Sequence, residues 1–243
     1  MVGGYICYQL SVEYNINQWL ALVIAIIAMG VLGLFLERVS FRRFFGDMDR
    51  IIVLSIAIIL VLQTSVNVTV GTYTRTIPSF APGQIGTGLV SISTERLVAF
   101  IIGAALLAVI LWFINGTKQG QQMQAISQNL VGAALQGINI HRISGLACFI
   151  ACGLAAVSGS VMGSIFNLSP FMGDYVLVKA VEIVILGGIG SVTGIIFAGL
   201  IIGTLDIVLP LVVTGAVSQA IGFGVVVILL LFRPKGFLGR EQN

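Results

Sequence analysis

The sequence predicts an all-α protein, a bundle of about six to eight transmembrane helices. Hydrophobic residues make up 58% of the 243 residues and charged residues only 9%, whereas soluble domains carry about 25% charged residues. Several apolar runs reach the about 20 residues that a helix needs to cross a bilayer core. The 30 glycines suit closely packed membrane helices. These three observations exclude a soluble globular protein.

Four apolar runs are each long enough to be one membrane span. They are Trp19–Leu36, Ile51–Val70, Leu97–Ile114 and Ile143–Phe166. Trp19 begins the first run, where its amphipathic ring suits the membrane interface. The second run carries Gln63, Thr64 and Asn67 in its second half. We expect that half to face protein or water rather than lipid, and these three residues are candidates for a polar pathway.

The segments between these runs differ in composition. Glu37–Arg50 is a charged loop, and Gly71–Arg96 is a loop with prolines and glycines. Asn115–Arg142 is polar and rich in Gln and Ala. In the fourth run Gly159 and Gly163 have the GxxxG spacing, which predicts close helix packing.

A long apolar stretch follows, Tyr175–Leu209, which exceeds the length of one crossing. Four glycines between positions 187 and 194 would each weaken a continuous helix by about 1 kcal/mol. We therefore expect a broken helix with one half on each side. Broken backbone at membrane depth is tolerated only beside protein or a water-filled cavity. The candidates for a translocation pathway are Gly187, Gly188, Gly190, Ser191 and Gly194. The alternative is that these glycines only allow close packing. The last predicted span is Ala216–Phe232, followed by a basic tail.

Lys and Arg are enriched in cytoplasmic loops, so their positions predict the orientation. Placing the loop after the first span inside leaves only three of the 12 cations outside, namely Arg75, Arg96 and Lys179. The N-terminus is then outside. The polar segment 115–142 and the tail are both inside, so the long apolar stretch must turn back, either as two passes or as a re-entrant pair.

Three segments carry a resemblance to a known family. They are Gly120–Asn139, the run from Lys179 to Gly203 with its LGGIGSVTG core, and the ending FRPKGF. Together they resemble the permease subunits of high-affinity branched-chain amino acid ABC importers, a family that includes urea and short-chain amide permeases. The resemblance covers nearly the whole chain. It implies a single permease domain in the bacterial cell membrane. The implied partners are cytoplasmic ABC ATPase subunits, a second homologous permease subunit and an extracytoplasmic solute-binding protein.

The first of these segments has a pattern of its own. Ala125, Asn129, Ala133 and Gly137 recur every four residues, which on one helix makes a ridge of small residues. The resemblance implies that this ridge, with Ile138 and Asn139, is the coupling helix that docks on the ATPase. The alternative is a surface helix that packs on the permease itself.

The chain also departs from the family pattern. The family commonly has Arg near Gln121 and at the position of Gln124, so two cations are missing from the docking segment. Family members usually begin with about two more membrane helices. We therefore expect this chain, which starts almost at the Gly3-Gly4-Tyr5 motif, to lack them.

No catalytic constellation is present in the sequence. The sequence has no G-x-x-x-x-G-K-[ST] motif, so the chain is not expected to bind ATP, and ATP hydrolysis would come from a separate subunit. No cofactor is expected to bind this chain. His141 is the only histidine, and the three cysteines lack neighbours that would make a metal site. Nothing indicates nucleic-acid binding.

Two acids lie inside apolar runs, Glu182 and Asp206. An intramembrane carboxylate is costly and suggests a function. Lys179 precedes Glu182 by three residues, which predicts a local ion pair. The alternative to an ABC permease is therefore a self-sufficient secondary transporter or channel for a small polar solute.

Overall fold

The structure, a computed structural model, describes residues 1–44, 47–71, 73–81, 83–87, 90–188 and 190–212, and beyond these only positions 214, 217, 221, 222, 224 and 231. The helices are α1 (Val2–Tyr8), α2 (Gln18–Val39), α3 (Met48–Val70), α4 (Thr94–Gly116), α5 (Lys118–Gln128), α6 (Leu130–Leu135), α7 (Ile140–Ile165), α8 (Met172–Gly187) and α9 (Val192–Val212). The strands β1 (Gln84–Thr87) and β2 (Val90–Ser93) form one hairpin. The predicted last span, Ala216–Phe232, and the basic tail lie outside the described residues, apart from isolated positions.

Five of the described helices are long and apolar enough to cross a membrane: α2, α3, α4, α7 and α9. The four predicted single spans coincide with α2, α3, α4 and α7, so the all-α membrane bundle is confirmed. Side chains mark where two of these helices begin. Asn17 accepts a hydrogen bond from the Trp19 N–H at 3.1 Å and caps α2. Asp47 accepts from the Arg50 N–H at 3.4 Å and caps α3.

The described residues form two compact units, one within residues 1–126 and 130–173, the other made of residues 127–129 and the described residues from 174 onward. In the first unit, α2 and α7 pack antiparallel at close range. A Cβ built on Gly30 would lie 2.5 Å from a ring carbon of Phe149, and one on Gly33 would lie 2.6 Å from the carbonyl oxygen of Cys148. At Gly33 the neighbour is backbone, so only glycine allows α2 and α7 to lie this close together.

The N-terminal helix α1 packs against the same long helix. A Cβ on Gly3 would lie 2.5 Å from the Cα of Ala156, and one on Gly4 would lie 2.8 Å from the carbonyl oxygen of Gly159. The predicted GxxxG pair is therefore a packing surface: Gly159 faces α1, and Gly163 faces the side chains of Ile77 and Leu168.

The segment 71–96, expected to be a loop, contains the β1–β2 hairpin. The strands are antiparallel, and Gln84 lies opposite Ser93. Ahead of the hairpin, Arg75 exchanges two backbone hydrogen bonds with Leu168, of 2.9 and 2.6 Å. Sequence alone did not predict either feature, because Pro and Gly between two apolar runs indicate a loop whether or not it contains short strands.

Candidate translocation and coupling sites

The predicted break in the long apolar stretch is confirmed. Helix α8 ends at Gly187 and α9 begins at Val192. Between them Gly188 and Gly190 have φ angles of 93° and 91°, in the left-handed region that glycine adopts without strain. Ser191 then caps α9, because its Oγ accepts the Gly194 N–H at 3.1 Å.

Two other glycines of the break bring the two helices into backbone contact. A Cβ on Gly187 would lie 2.6 Å from the Cα of Ile195, and a Cβ on Gly194 would collide with the carbonyl oxygen of Gly187. The glycines therefore have two separate tasks. Gly188 and Gly190 form the turn, whereas Gly187 and Gly194 allow the contact.

The break joins α8 and α9 into an antiparallel hairpin. Leu186 on α8 and Ala198 and Ile202 on α9 form its buried core, with Ile183 packed against them. Helix α8 has 16 residues and is therefore about 24 Å long, shorter than a hydrocarbon core of about 30 Å. The hairpin thus combines one span-length helix with one that is too short to span upright.

Three charged side chains meet within this hairpin. Lys179 Nζ lies 3.2 Å from Glu182 Oε2, which confirms the predicted local pair. It also lies 2.8 Å from Asp206 Oδ1 on the other helix. The second contact was not predicted, since it joins residues 27 positions apart and depends on the register of the hairpin. We call Lys179, Glu182 and Asp206 the ion cluster.

The ion cluster has one cation for two carboxylates. The side chains of Lys179 and Glu182 are only 15% and 5% exposed, and that of Asp206 is 32% exposed. Within the described residues, Glu182 Oε1 is buried and has no hydrogen-bond partner. Removing one partner of a buried ion pair leaves an uncompensated charge, which is strongly destabilising. The contact of Lys179 with Asp206 therefore links α8 to α9, and losing the lysine would leave both carboxylates unpaired in the cluster.

The polar residues of α3 divide between two faces. Gln63 and Asn67 are half-buried and share a face with Val66 and Val70, which pack against the core of the first unit. Thr64 is exposed on another face. These residues belong to the first unit, and the glycine break belongs to the second.

The predicted coupling segment is not one helix. It consists of α5 and α6, which are separated at Asn129, and α6 ends at Leu135. The continuous ridge of small residues was therefore a wrong prediction. Ala125 lies on α5, and Ala133, which is 4% exposed, lies on α6. Gly137 lies beyond the helix.

Gly137 and Asn139 form the connection from α6 to α7. Gly137 has φ 79°, and its N–H donates to Ala134 O at 3.0 Å, while the Ile138 N–H donates to Ala133 O at 3.2 Å. This pair of bonds ends α6 in a Schellman motif, which favours glycine at the left-handed position. Asn139 caps α7, because its Oδ1 accepts the Arg142 N–H at 3.2 Å. Both residues thus have local structural roles, whatever they contact outside the chain.

Sequence reasoning missed the exposed apolar side chains of α6. Val131 and Leu135 are 66% and 84% exposed and lie four residues apart, on one side of the helix. The polar segment 115–142 carries these two apolar side chains four residues apart, and that pattern could have identified Val131 and Leu135 from the sequence.

Glu37 is a second residue that the sequence did not single out. It lies in the last turn of α2 and is 5% exposed. Its Oε1 is buried without a hydrogen-bond partner among the described residues. A Cβ on Gly145 of α7 would lie 3.6 Å from Glu37 Oε2. A negative charge at a helix C-terminus interacts unfavourably with the helix dipole, so an ionised carboxylate is costly at this position.

Within the described part of the chain, no three His, Cys, Asp or Glu side chains gather as a metal site would require.

The span-length helices define a multi-pass membrane protein, and its broken hairpin holds a buried ion cluster. The family model described as "Branched-chain amino acid transport system / permease component" matches residues 1–232. The chain belongs to this permease family, and it is accordingly a transport protein of the cell membrane.

Curated relatives agree with the family model. The chain is 28% identical to the high-affinity branched-chain amino acid transport system permease protein LivH of Escherichia coli (strain K12), over 100% of this chain and 83% of the relative. It is 30% identical to the corresponding permease protein BraD of Pseudomonas aeruginosa, over 91% of this chain and 75% of the relative. The ribose import permease protein RbsC of Bacillus subtilis is 31% identical over 55% of this chain and 45% of the relative. No solved structure matches the chain significantly.

Proposed function

We propose that this chain is the permease subunit of an ABC importer that carries branched-chain amino acids, or related small polar solutes, across the cell membrane. The observation that carries the proposal is the family match over residues 1–232. The described spans support it, because they give the chain the helices that a pathway through a bilayer needs.

The proposed pathway includes the broken hairpin. Backbone that leaves helical geometry at membrane depth needs protein or water around it, and we place Gly188, Gly190 and Ser191 in such a segment. Gln63 and Asn67 of the first unit are half-buried and stay predicted pathway residues. Thr64 is the weakest of the predicted pathway residues, since it is exposed on another face of α3.

ATP hydrolysis is assigned to separate cytoplasmic subunits, and this chain is proposed to bind no cofactor itself. A second homologous permease subunit and an extracytoplasmic solute-binding protein complete the proposed assembly. The docking surface for the ATPase is proposed on α5 and α6. Its support is the exposed pair Val131 and Leu135, whose apolar side chains would be buried by a partner.

Introducing negative charge on this surface tests the docking proposal. We expect Val131→Asp with Leu135→Asp to reduce ATP-driven uptake at least tenfold, because two buried apolar contacts would become buried charges. The measurement is solute uptake together with ATPase co-purification. Asn115→Asp, at an exposed polar position of α4 outside the proposed docking surface, is the matched control and should leave both unchanged. Full uptake and full co-purification in the double variant would refute docking through α6.

Gly137→Arg is a poorer test of docking. The backbone φ of 79° at this position would be strained for any non-glycine residue, so the variant would also disturb the end of α6.

The ion cluster favours one second candidate function, a secondary transporter driven by protons. Buried carboxylates beside a lysine are groups that can carry a proton within a membrane. This alternative requires solute flux from the chain alone in vesicles, dependent on a proton gradient.

A further inference from the structure

The first compact unit contains an apolar groove of about 330 Å³ between α2, α4 and α7. Its lining consists of aliphatic and aromatic side chains and one glycine, among them Ile26, Leu106, Trp112, Phe149 and Gly153. All three helices are long enough to span a membrane. The groove therefore lies among elements whose natural surroundings are lipid.

The direction of the groove follows from the packing of α2 on α7. Gly33 faces Cys148 and Cys152, and further along the same interface Gly153 faces Ile26. Helix α7 is therefore antiparallel to α2.

Helix α4 runs parallel to α2. Its N-terminal half, at Val98 and Ile102, packs on the cluster that contains Ala21 and Leu22 of α2. The C-termini of α2 and α4 and the N-terminus of α7 thus share one end of the bundle. The distribution of Lys and Arg predicts that this end is cytoplasmic.

Two cations stand at this end of the groove. Arg142 lies seven and eleven residues before Phe149 and Gly153, which places it on the face of α7 that lines the groove. Lys118 begins α5, two residues after α4 ends at Gly116. Both cations are exposed, and none of the ion pairs in the described part of the chain includes either one. Positive charge is therefore available at the mouth of an apolar groove.

We propose that this groove binds one acyl chain of an anionic phospholipid, whose phosphate lies against Arg142 and Lys118. Basic pockets between membrane helices on the cytoplasmic side have the chemistry that anionic headgroups need. Trp112 lines the groove near the C-terminal end of α4, where an aromatic residue suits the membrane interface. From Arg142 to Val157, the far end of the groove, α7 rises about 22 Å, a distance that suits an extended acyl chain.

The headgroup is tested by lipid titration of the purified full chain, followed by native mass spectrometry. Phosphatidylglycerol should bind at least tenfold more tightly than phosphatidylcholine with the same acyl chains, and inorganic phosphate should not compete. Lys118→Gln with Arg142→Gln should abolish this preference. Arg96→Gln, which removes an exposed cation at the opposite end of α4, is the matched control and should preserve it. Equal binding of the two lipids, competition by phosphate, or an unchanged preference in the double variant would overturn the proposal.

The acyl chain is tested separately. Val109 lines the groove and is 58% exposed, so Val109→Trp should fill the groove without disturbing the core. We expect this variant to keep the thermal midpoint of the unaltered chain and to lose at least tenfold in phosphatidylglycerol affinity. Undiminished affinity would overturn the groove as the site. Loss of bound lipid when the chain is assembled with its partner subunits would also overturn the proposal, and would assign the groove to a protein interface.

Discussion

Gly33 lies where α2 closely approaches the backbone of α7. A Cβ at this position would lie 2.6 Å from the Cys148 carbonyl oxygen and 2.8 Å from Cys152 Sγ. Gly103, on α4, has the opposite environment, with no atom within 4 Å of a built Cβ. The two glycines are alike in sequence context, because both stand within apolar runs. Only the structure distinguishes a close contact from open space.

The contrast predicts opposite effects for the same substitution. Gly33→Ala should lower the free energy of unfolding by about 1–3 kcal/mol, because α2 and α7 must separate to admit the methyl group. Gly103→Ala should be neutral or stabilising by up to about 1 kcal/mol, because alanine favours the helix and meets nothing. Thermal unfolding of both variants in the same detergent checks this. Equal destabilisation by the two substitutions would contradict the packing described for Gly33.

At the scale of elements, the α8–α9 hairpin shows what sequence could and could not predict. Its break was predictable, because four glycines weaken a helix locally. The Lys179–Glu182 pair was predictable, because both residues lie on one helix at a fixed spacing. The contact of Lys179 with Asp206 depends on how two helices pair across the break, and no local pattern encodes that register. Similarly, the ridge predicted at Ala125–Gly137 failed because a four-residue period does not show where a helix is interrupted.

Removing Lys179 tests the hairpin. Lys179→Met should destabilise the protein by about 3–5 kcal/mol, since it leaves two carboxylates in the hairpin without a cation. Glu182→Gln should be neutral or stabilising, because it removes the surplus negative charge and leaves the 2.8 Å contact with Asp206 in place. Thermal midpoints of the two variants give the comparison. A Glu182→Gln variant as unstable as Lys179→Met would show that the cluster is not held by Lys179 in this way.

At the scale of the whole molecule, the membrane bundle was predictable because long apolar runs have few alternatives in a protein. Four spans coincide with helices at nearly the predicted limits, and the family model extends over residues 1–232. The packing of α1 on α7 and the β1–β2 hairpin were not predictable. The first rests on the contact of Gly3 with Ala156, which lies far away in the sequence on α7. The second lies in a segment whose composition indicates only a loop.

Reconstituted uptake is the measurement that tests the central claim most directly. The chain is placed in vesicles with its ABC ATPase, a second permease subunit and a solute-binding protein, and uptake of labelled leucine is followed with and without ATP. The account predicts uptake that requires ATP and all partners, and no flux through the chain alone under a proton gradient. Proton-driven flux through the chain alone would contradict the account and establish a secondary transporter.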